Sequence, residues 1–177
     1  NIDAVILSHP HADHIGGMPD LMREIPIKAI YQSAHPYDSR LYETYMSLAD
    51  SMNIPVKTVY AGEMIHIDPT IRLFVLGPDQ NASGAGNINN ASVSFRLDYK
   101  ENSFLFTGDA EAAQEQQLVS SYGDFLDTDV LKTGHHGSKT SSTIPFINSV
   151  TPEITFTSLA YQNRFGHPHQ TATARLT

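Results

Sequence analysis

The chain has 177 residues, 40% hydrophobic and 17% charged, a size and balance that suit one folded domain with its own core over residues 1–177. It contains no cysteine, which excludes disulfides and thiolate ligands, so any metal site must be built from imidazole and carboxylate. Eleven Lys and Arg against 19 Asp and Glu give a formal net charge of −8, which argues against a broad electrostatic grip on nucleic acid but leaves phosphate recognition at a cation-bearing cleft open.

The chain opens inside an apolar run, residues 2–7, with no initiator Met and no signal-peptide pattern, and so reads as a portion excised from something longer. No apolar run is long enough to span a membrane. Short runs rich in β-branched and aromatic residues predict strands near 3–8, 27–32, 56–60, 64–67, 71–76, 92–99, 103–107, 128–133 and 153–158. Helices are expected at 17–25 and 38–52, where Met18, Leu21, Met22 and Ile25, then Leu41, Tyr45, Leu48 and Met52, recur at helical spacing, and at 111–121 and 142–150. Residues 78–90, rich in Asn and Gly, read as a loop, and Glu101–Asn102 as the turn of a hairpin. The alternation implies α/β architecture.

The densest chemistry is His9-Pro-His11-Ala-Asp13-His14, at the end of the first apolar run. His9 and His11 are two residues apart, so extended backbone sets both imidazoles on one side, where they can share an ion. Asp13 and His14 follow where the chain turns and can reach a second ion, while Gly16 and Gly17 permit the turn into a helix. The plain alternative is a solvated loop whose Asp13 caps that helix. Asp109 follows Gly108 ahead of a helix and, by itself, reads as an ordinary N-cap. His135 and His136 end an apolar strand. Neighbours on a strand face opposite ways, so one of the two enters a ligand shell unless the backbone bends, and His135 is the choice. His136 then orients a substrate oxygen, makes a supporting hydrogen bond or packs on the core. His35 and His66 stand outside any motif and read as structural or surface residues.

His-x-His-x-Asp-His after a hydrophobic strand resembles the signature of the metallo-β-lactamase superfamily. Three further segments, Asn89-Asn-Ala-Ser-Val-Ser-Phe-Arg-Leu, Phe104-Leu-Phe-Thr-Gly-Asp-Ala-Glu111 and Asp129-Val-Leu-Lys-Thr-Gly-His-His-Gly-Ser138, with Gly166-His-Pro-His169, are similar to the hydrolase domain of ComEC-type DNA-uptake proteins. The similarity runs over residues 2–176. It implies an αββα four-layer sandwich, N-terminally truncated because relatives have strands before the first motif. An open sheet edge would then invite pairing with a second copy. It implies one or two divalent ions, zinc or manganese, held by His9, His11, Asp13, His14, Asp109 and His135, with Asp109 bridging.

For the reaction, the resemblance implies that Asp13 orients the attacking water and that His167 or Ser138 serves the leaving side. His136, Lys139, Asn90, Ser92, Arg164 and His169 are candidates for substrate contact, and Lys132 is a further positive charge. Tyr37, Tyr161 and Phe165 are available for stacking on bases, although core packing explains aromatics equally. Many relatives have another histidine where this chain offers Asn89, Asn90 and Ser92, so the ion at His9 and His11 is expected to be held weakly. The expected function is a phosphodiesterase or nuclease acting on DNA during uptake, in the soluble extracytoplasmic part of a larger bacterial inner-membrane protein. The alternatives are hydrolysis of small phosphoesters or carboxylic derivatives, and a binding module without productive metal.

Overall fold

The computed structural model describes residues 1–35, 37–80 and 86–176. Strands β1 (Val5–Leu7), β2 (Ile30–Gln32) and β3 (Val56–Thr58) form a parallel sheet in that order. Parallel neighbours need crossovers. Helices α1 (Ala12–Ile15) and α2 (Met18–Glu24) supply the first and α3 (Arg40–Ser51) the second. Ile15, Met18, Met22, Tyr45 and Ala49 from these helices bury against Leu7 and Ile30. Ser39 caps α3, its hydroxyl accepting the Tyr42 N–H at 3.1 Å. The buried Tyr45 hydroxyl donates to Gln32 Oε1 at 3.1 Å, so its burial leaves no orphan.

The second sheet runs β4 (Met64–Ile65), β5 (Ile71–Gly77), β6 (Ser94–Tyr99), β7 (Asn102–Phe106), β8 (Val130–Lys132), β9 (Ile154–Phe156). Its first four strands are antiparallel, and β7, β8 and β9 are parallel. Helices α4 (Ala112–Tyr122) and α5 (Ile144–Val150) cover the outer face, packing Leu118, Phe146 and Val150 on Leu76, Leu105 and Leu131. Alternation along β5 sends Leu73 and Val75 the other way, into a cluster with Ile65, Val93, Ile6 and Tyr31 between the two sheets. Helices thus flank two facing sheets, the αββα layering of the metallo-β-lactamase fold, and each fully buried Leu or Phe contributes roughly 1.5–3 kcal/mol to it.

Every predicted strand and helix has a counterpart, mostly shorter than expected because the strand ends run into turns. The hairpin turn falls at Lys100 and Glu101 rather than at 101–102: Asn102 already pairs with Tyr99, and Lys100 adopts φ +56°. Residues 81–85 of the predicted loop lie outside the described residues, while Ile88–Ala91 form a 3-10 turn. The short helices α1 and α6 (Gln170–Thr173) were not expected. No helix among the described residues is long and apolar enough to cross a membrane.

Candidate metal centre

Three chain segments leave strand ends and meet where the two sheets approach each other, tied there by the Val93 N–H donating to Ser8 O at 2.7 Å. Beyond β1 the backbone stays extended through His11 and then turns into α1. His9 is buried, and its Nε2 lies 2.9 Å from His11 Nδ1, so both imidazoles do face one point. Asp13 and His14 sit on α1 itself. The Ser8 hydroxyl stands 3.1 Å from His9 Nδ1 and 3.0 Å from His14 Nδ1. With two lone pairs, it can accept an N–H from each, leaving both Nε2 atoms as free bases.

The second segment follows β7. Gly108 has φ +55°, and a Cβ there would fall 2.5 Å from Ser8 Cβ and 2.9 Å from Ser92 Cβ, so only glycine lets the strand end come this close. Asp109 is buried, its N–H held by Ser92 Oγ at 3.1 Å. Its Oδ2 lies 3.3 Å from His14 Nε2, 3.8 Å from His9 Nε2 and 3.8 Å from His135 Nε2, and its Oδ1 lies 3.6 Å from His136 Nε2. Burial alone would raise the Asp109 pKa. The hydrogen bond to His14, and the positive charge that His14, His136 and His9 carry when protonated, outweigh burial and hold the carboxyl below its ordinary range.

The third segment, Gly134–Gly137, meets the exception allowed for the paired histidines, a bend in the backbone. His135 and His136 both adopt left-handed backbone, φ 45° and 54°, so strand alternation does not apply and both rings enter the cleft. His136, expected on the substrate side, sits with Nε2 3.2 Å from His14 Nε2 and 3.4 Å from Asp13 Oδ2, while its Nδ1–H donates to Ser158 O at 2.7 Å. His135 Nδ1 faces Glu111 Oε1 at 3.2 Å and Thr140 Oγ1 at 3.3 Å.

Two groups of donors, His9 with His14 and Asp109, and Asp13 with His14 and His136, each gather within 4.8 Å. Asp109 Oδ1 is buried with no hydrogen-bond partner, an orphan that a cation would satisfy. Burial, then the charge of His14, lowers the His9 pKa to about 3, and burial lowers that of His11, so both imidazoles are neutral bases at pH 7. Neutral imidazoles around carboxylates are the donor set of zinc and of harder divalent ions, and the residues fit such a group.

A cleft of about 550 Å³ opens over these donors, bounded on its far side by Leu159, Ala160, Asn163, Phe165 and His167. His167 lies with its ring 5.7 Å from that of His135 and 6.5 Å from that of His136. Its pKa is lowered by burial and then by His169, which leaves it neutral at pH 7. His169 accepts the Lys139 N–H at 3.1 Å and meets His167 edge-on.

Several residues expected at the site, Ser138 on the leaving side and the others in substrate contact, have other occupations. Ser138 is buried and shares its hydroxyl with Thr140 at 3.0 Å, away from the cleft lining. Asn90 Oδ1 accepts the Glu111 N–H at 3.0 Å and so caps α4. Ser92 is fully buried behind Asp109 and His9. Lys139 is exposed outside the cleft lining, and Arg164 lies over the Phe165 ring at 4.9 Å. Lys132 is turned between the sheets, where it donates to Thr133 O and burial lowers its pKa. Tyr37 stands edge-on to His11 at 5.7 Å, while Tyr161 and Phe165 are exposed. Ser8, Glu111 and Ser158 support the imidazoles without having been singled out. Glu111 lay inside a quoted motif two residues from a ligand candidate, Ser8 immediately precedes the first motif, and Ser158 had no signal at all because it acts through its carbonyl.

The family model described as the Metallo-beta-lactamase superfamily matches residues 1–159. ComE operon protein 3 of Bacillus subtilis is 30% identical over 169 residues, covering 96% of this chain and 21% of that protein. Recombination protein 2 of Haemophilus influenzae is 30% identical over 176 residues, covering 99% of this chain and 20% of that protein. The chain therefore spans about a fifth of the length of these relatives. Among solved structures, the metallo-beta-lactamase fold protein YhfI from Bacillus subtilis superposes with a TM-score of 0.58 at 15% identity, over 97% of this chain and 70% of that one.

Proposed function

The chain belongs to the metallo-β-lactamase superfamily, and from that premise we propose that it is a divalent-metal-dependent phosphodiesterase that cleaves DNA as part of a larger, membrane-associated uptake protein. The observation that carries the reading is the buried Asp109 oxygen that lacks a hydrogen-bond partner among imidazoles from both sheets, on a carboxylate that belongs to one donor group and contacts His136 of the other. One or two ions held by His9, His11, Asp13, His14, Asp109, His135 and His136 would supply Lewis acidity toward a phosphate oxygen and lower the pKa of water toward neutrality.

The protein's own groups then have separate tasks. Asp13, whose carboxylate is 61% exposed at the cleft, is free to accept and orient a proton of the attacking water. His167 is on the far wall, where a neutral imidazole can hydrogen-bond the leaving oxygen. Phe165, an exposed aromatic on the cleft wall, suits stacking on a base better than contact with a small anion. The relatives' names support the DNA assignment, since two of them refer to the ComE operon and to recombination.

The test is elemental analysis for zinc and manganese, paired with cleavage assays on single-stranded DNA and on a generic phosphodiester with and without a chelator. Metal-dependent cleavage of DNA is expected. Cleavage of small esters alone would replace the substrate assignment, and absence of both metal and cleavage would overturn the reading.

A further inference from the structure

We propose that Glu111 is a positioning residue that sets the tautomer and aim of His135, an inference that rests on the metal-dependent reading above. Glu111 sits at the start of α4, its backbone N–H held by Asn90 Oδ1 at 3.0 Å. Both carboxylate oxygens are engaged: Asn87 Nδ2 donates to Oε2 at 2.8 Å and Asn89 Nδ2 donates to Oε1 at 3.1 Å. Oε1 also faces His135 Nδ1 at 3.2 Å. The opposite ring nitrogen, Nε2, is the atom that points toward Asp109.

An imidazole whose Nδ1 faces a carboxylate keeps its proton there, leaving the Nε2 lone pair for an ion. Thr140 Oγ1, 3.3 Å from the same Nδ1, can either donate or accept and so cannot fix the tautomer by itself. The need for such a clamp follows from the backbone. His135 sits in left-handed conformation on a turn that gives its ring no strand neighbours, whereas His9 and His14 share Ser8 and His136 has the Ser158 carbonyl. Asn87 and Asn89 pin the carboxylate with two donors, so it cannot swing away when His135 moves.

The test is Mn²⁺ titration of the chelator-treated chain, read by electron paramagnetic resonance of the free ion, for the wild type, Glu111→Gln, His135→Ala and the double variant. Supporting partners of this kind are typically worth about 10–100-fold in metal affinity. Glu111→Gln is expected to weaken one site within that range, and to have no further effect once His135 is removed. Equal affinity in Glu111→Gln, or an undiminished loss in the His135→Ala background, overturns the proposal. In the metal-free protein, ring ¹⁵N spectra are expected to show His135 protonated at Nδ1 and Glu111→Gln to lose that preference; an unchanged tautomer also overturns it. Should Glu111→Gln not fold, Asn87→Ala releases one carboxylate oxygen from the exposed side, and it must weaken Mn²⁺ binding for the proposal to stand. If the wild type takes up neither Mn²⁺ nor Zn²⁺, the metal-dependent reading fails as well; if it takes up the ion and the variants match it, only the role of Glu111 fails.

Discussion

Asp109 touches every histidine of the centre except His11 through contacts of 3.3–3.8 Å, so its charge organises the cluster as well as serving an ion. Asp109→Asn keeps the size and removes the charge. Divalent affinity should fall by more than the roughly 100-fold upper range of a supporting residue, measured by metal titration. His9 gives a pH signature to the metal-free protein. Its folded pKa of about 3 lies below its ordinary 6.5, so the unfolded chain binds a proton through pH 6.5 that the folded chain refuses. Stability is therefore full above pH 6.5 and declines as pH falls toward 3, and the lowered Asp109 adds a loss only below 3.8. Thermal unfolding across that range should show the decline, and His9→Asn should flatten the part between 6.5 and 3; a flat wild-type profile would contradict the burial argument. Ser92→Ala strips the Asp109 N–H of its acceptor in a fully buried place and is expected to cost about 1–3 kcal/mol by urea unfolding.

At the level of elements, α4 is held at both ends of its first turn. Asn90 caps it from the preceding 3-10 turn, and the buried Glu115 accepts the N–H groups of Ser142 and Thr143 at 2.6 and 2.8 Å. Asn90→Ala should lower stability by about 0.5–2 kcal/mol in urea unfolding, with little effect on substrate affinity; a large rise in KM alone would return Asn90 to the substrate side. The strands were legible because β-branched and aromatic runs sit between turn residues, and α3 because Leu41, Tyr45 and Leu48 share a face. The turn at Gly134–Gly137 was not, since left-handed backbone at two histidines leaves no mark in residue type: Asn or Gly would have signalled it, and His does not. The same gap hid the difference between His135 and His136. Ser92 looked like a substrate contact and Ser138 like a group for the leaving side from their place beside ligands, but one-dimensional proximity does not distinguish a hydroxyl in the cleft from one behind its wall.

Over the whole molecule, an ion that binds only the folded chain adds stability by mass action, about 2.7 kcal/mol at a free concentration near 100 times its Kd. Thermal midpoints with Mn²⁺ or Zn²⁺ against a chelator should separate accordingly, and coincident midpoints would speak against a folded-state site. The β1 strand leaves one edge of its sheet open among the described residues, so sedimentation of this chain is expected to reveal self-association that rises with concentration. The tie between His14 and His136, 122 residues apart in sequence, has a further outcome. An ion gripping both would act as a rivet between α1 and the turn that follows β8, so that neither end could open locally without giving up the ion. Deuterium uptake at the two ends should then rise in step when the rivet is drawn, long before either layer of helices loosens.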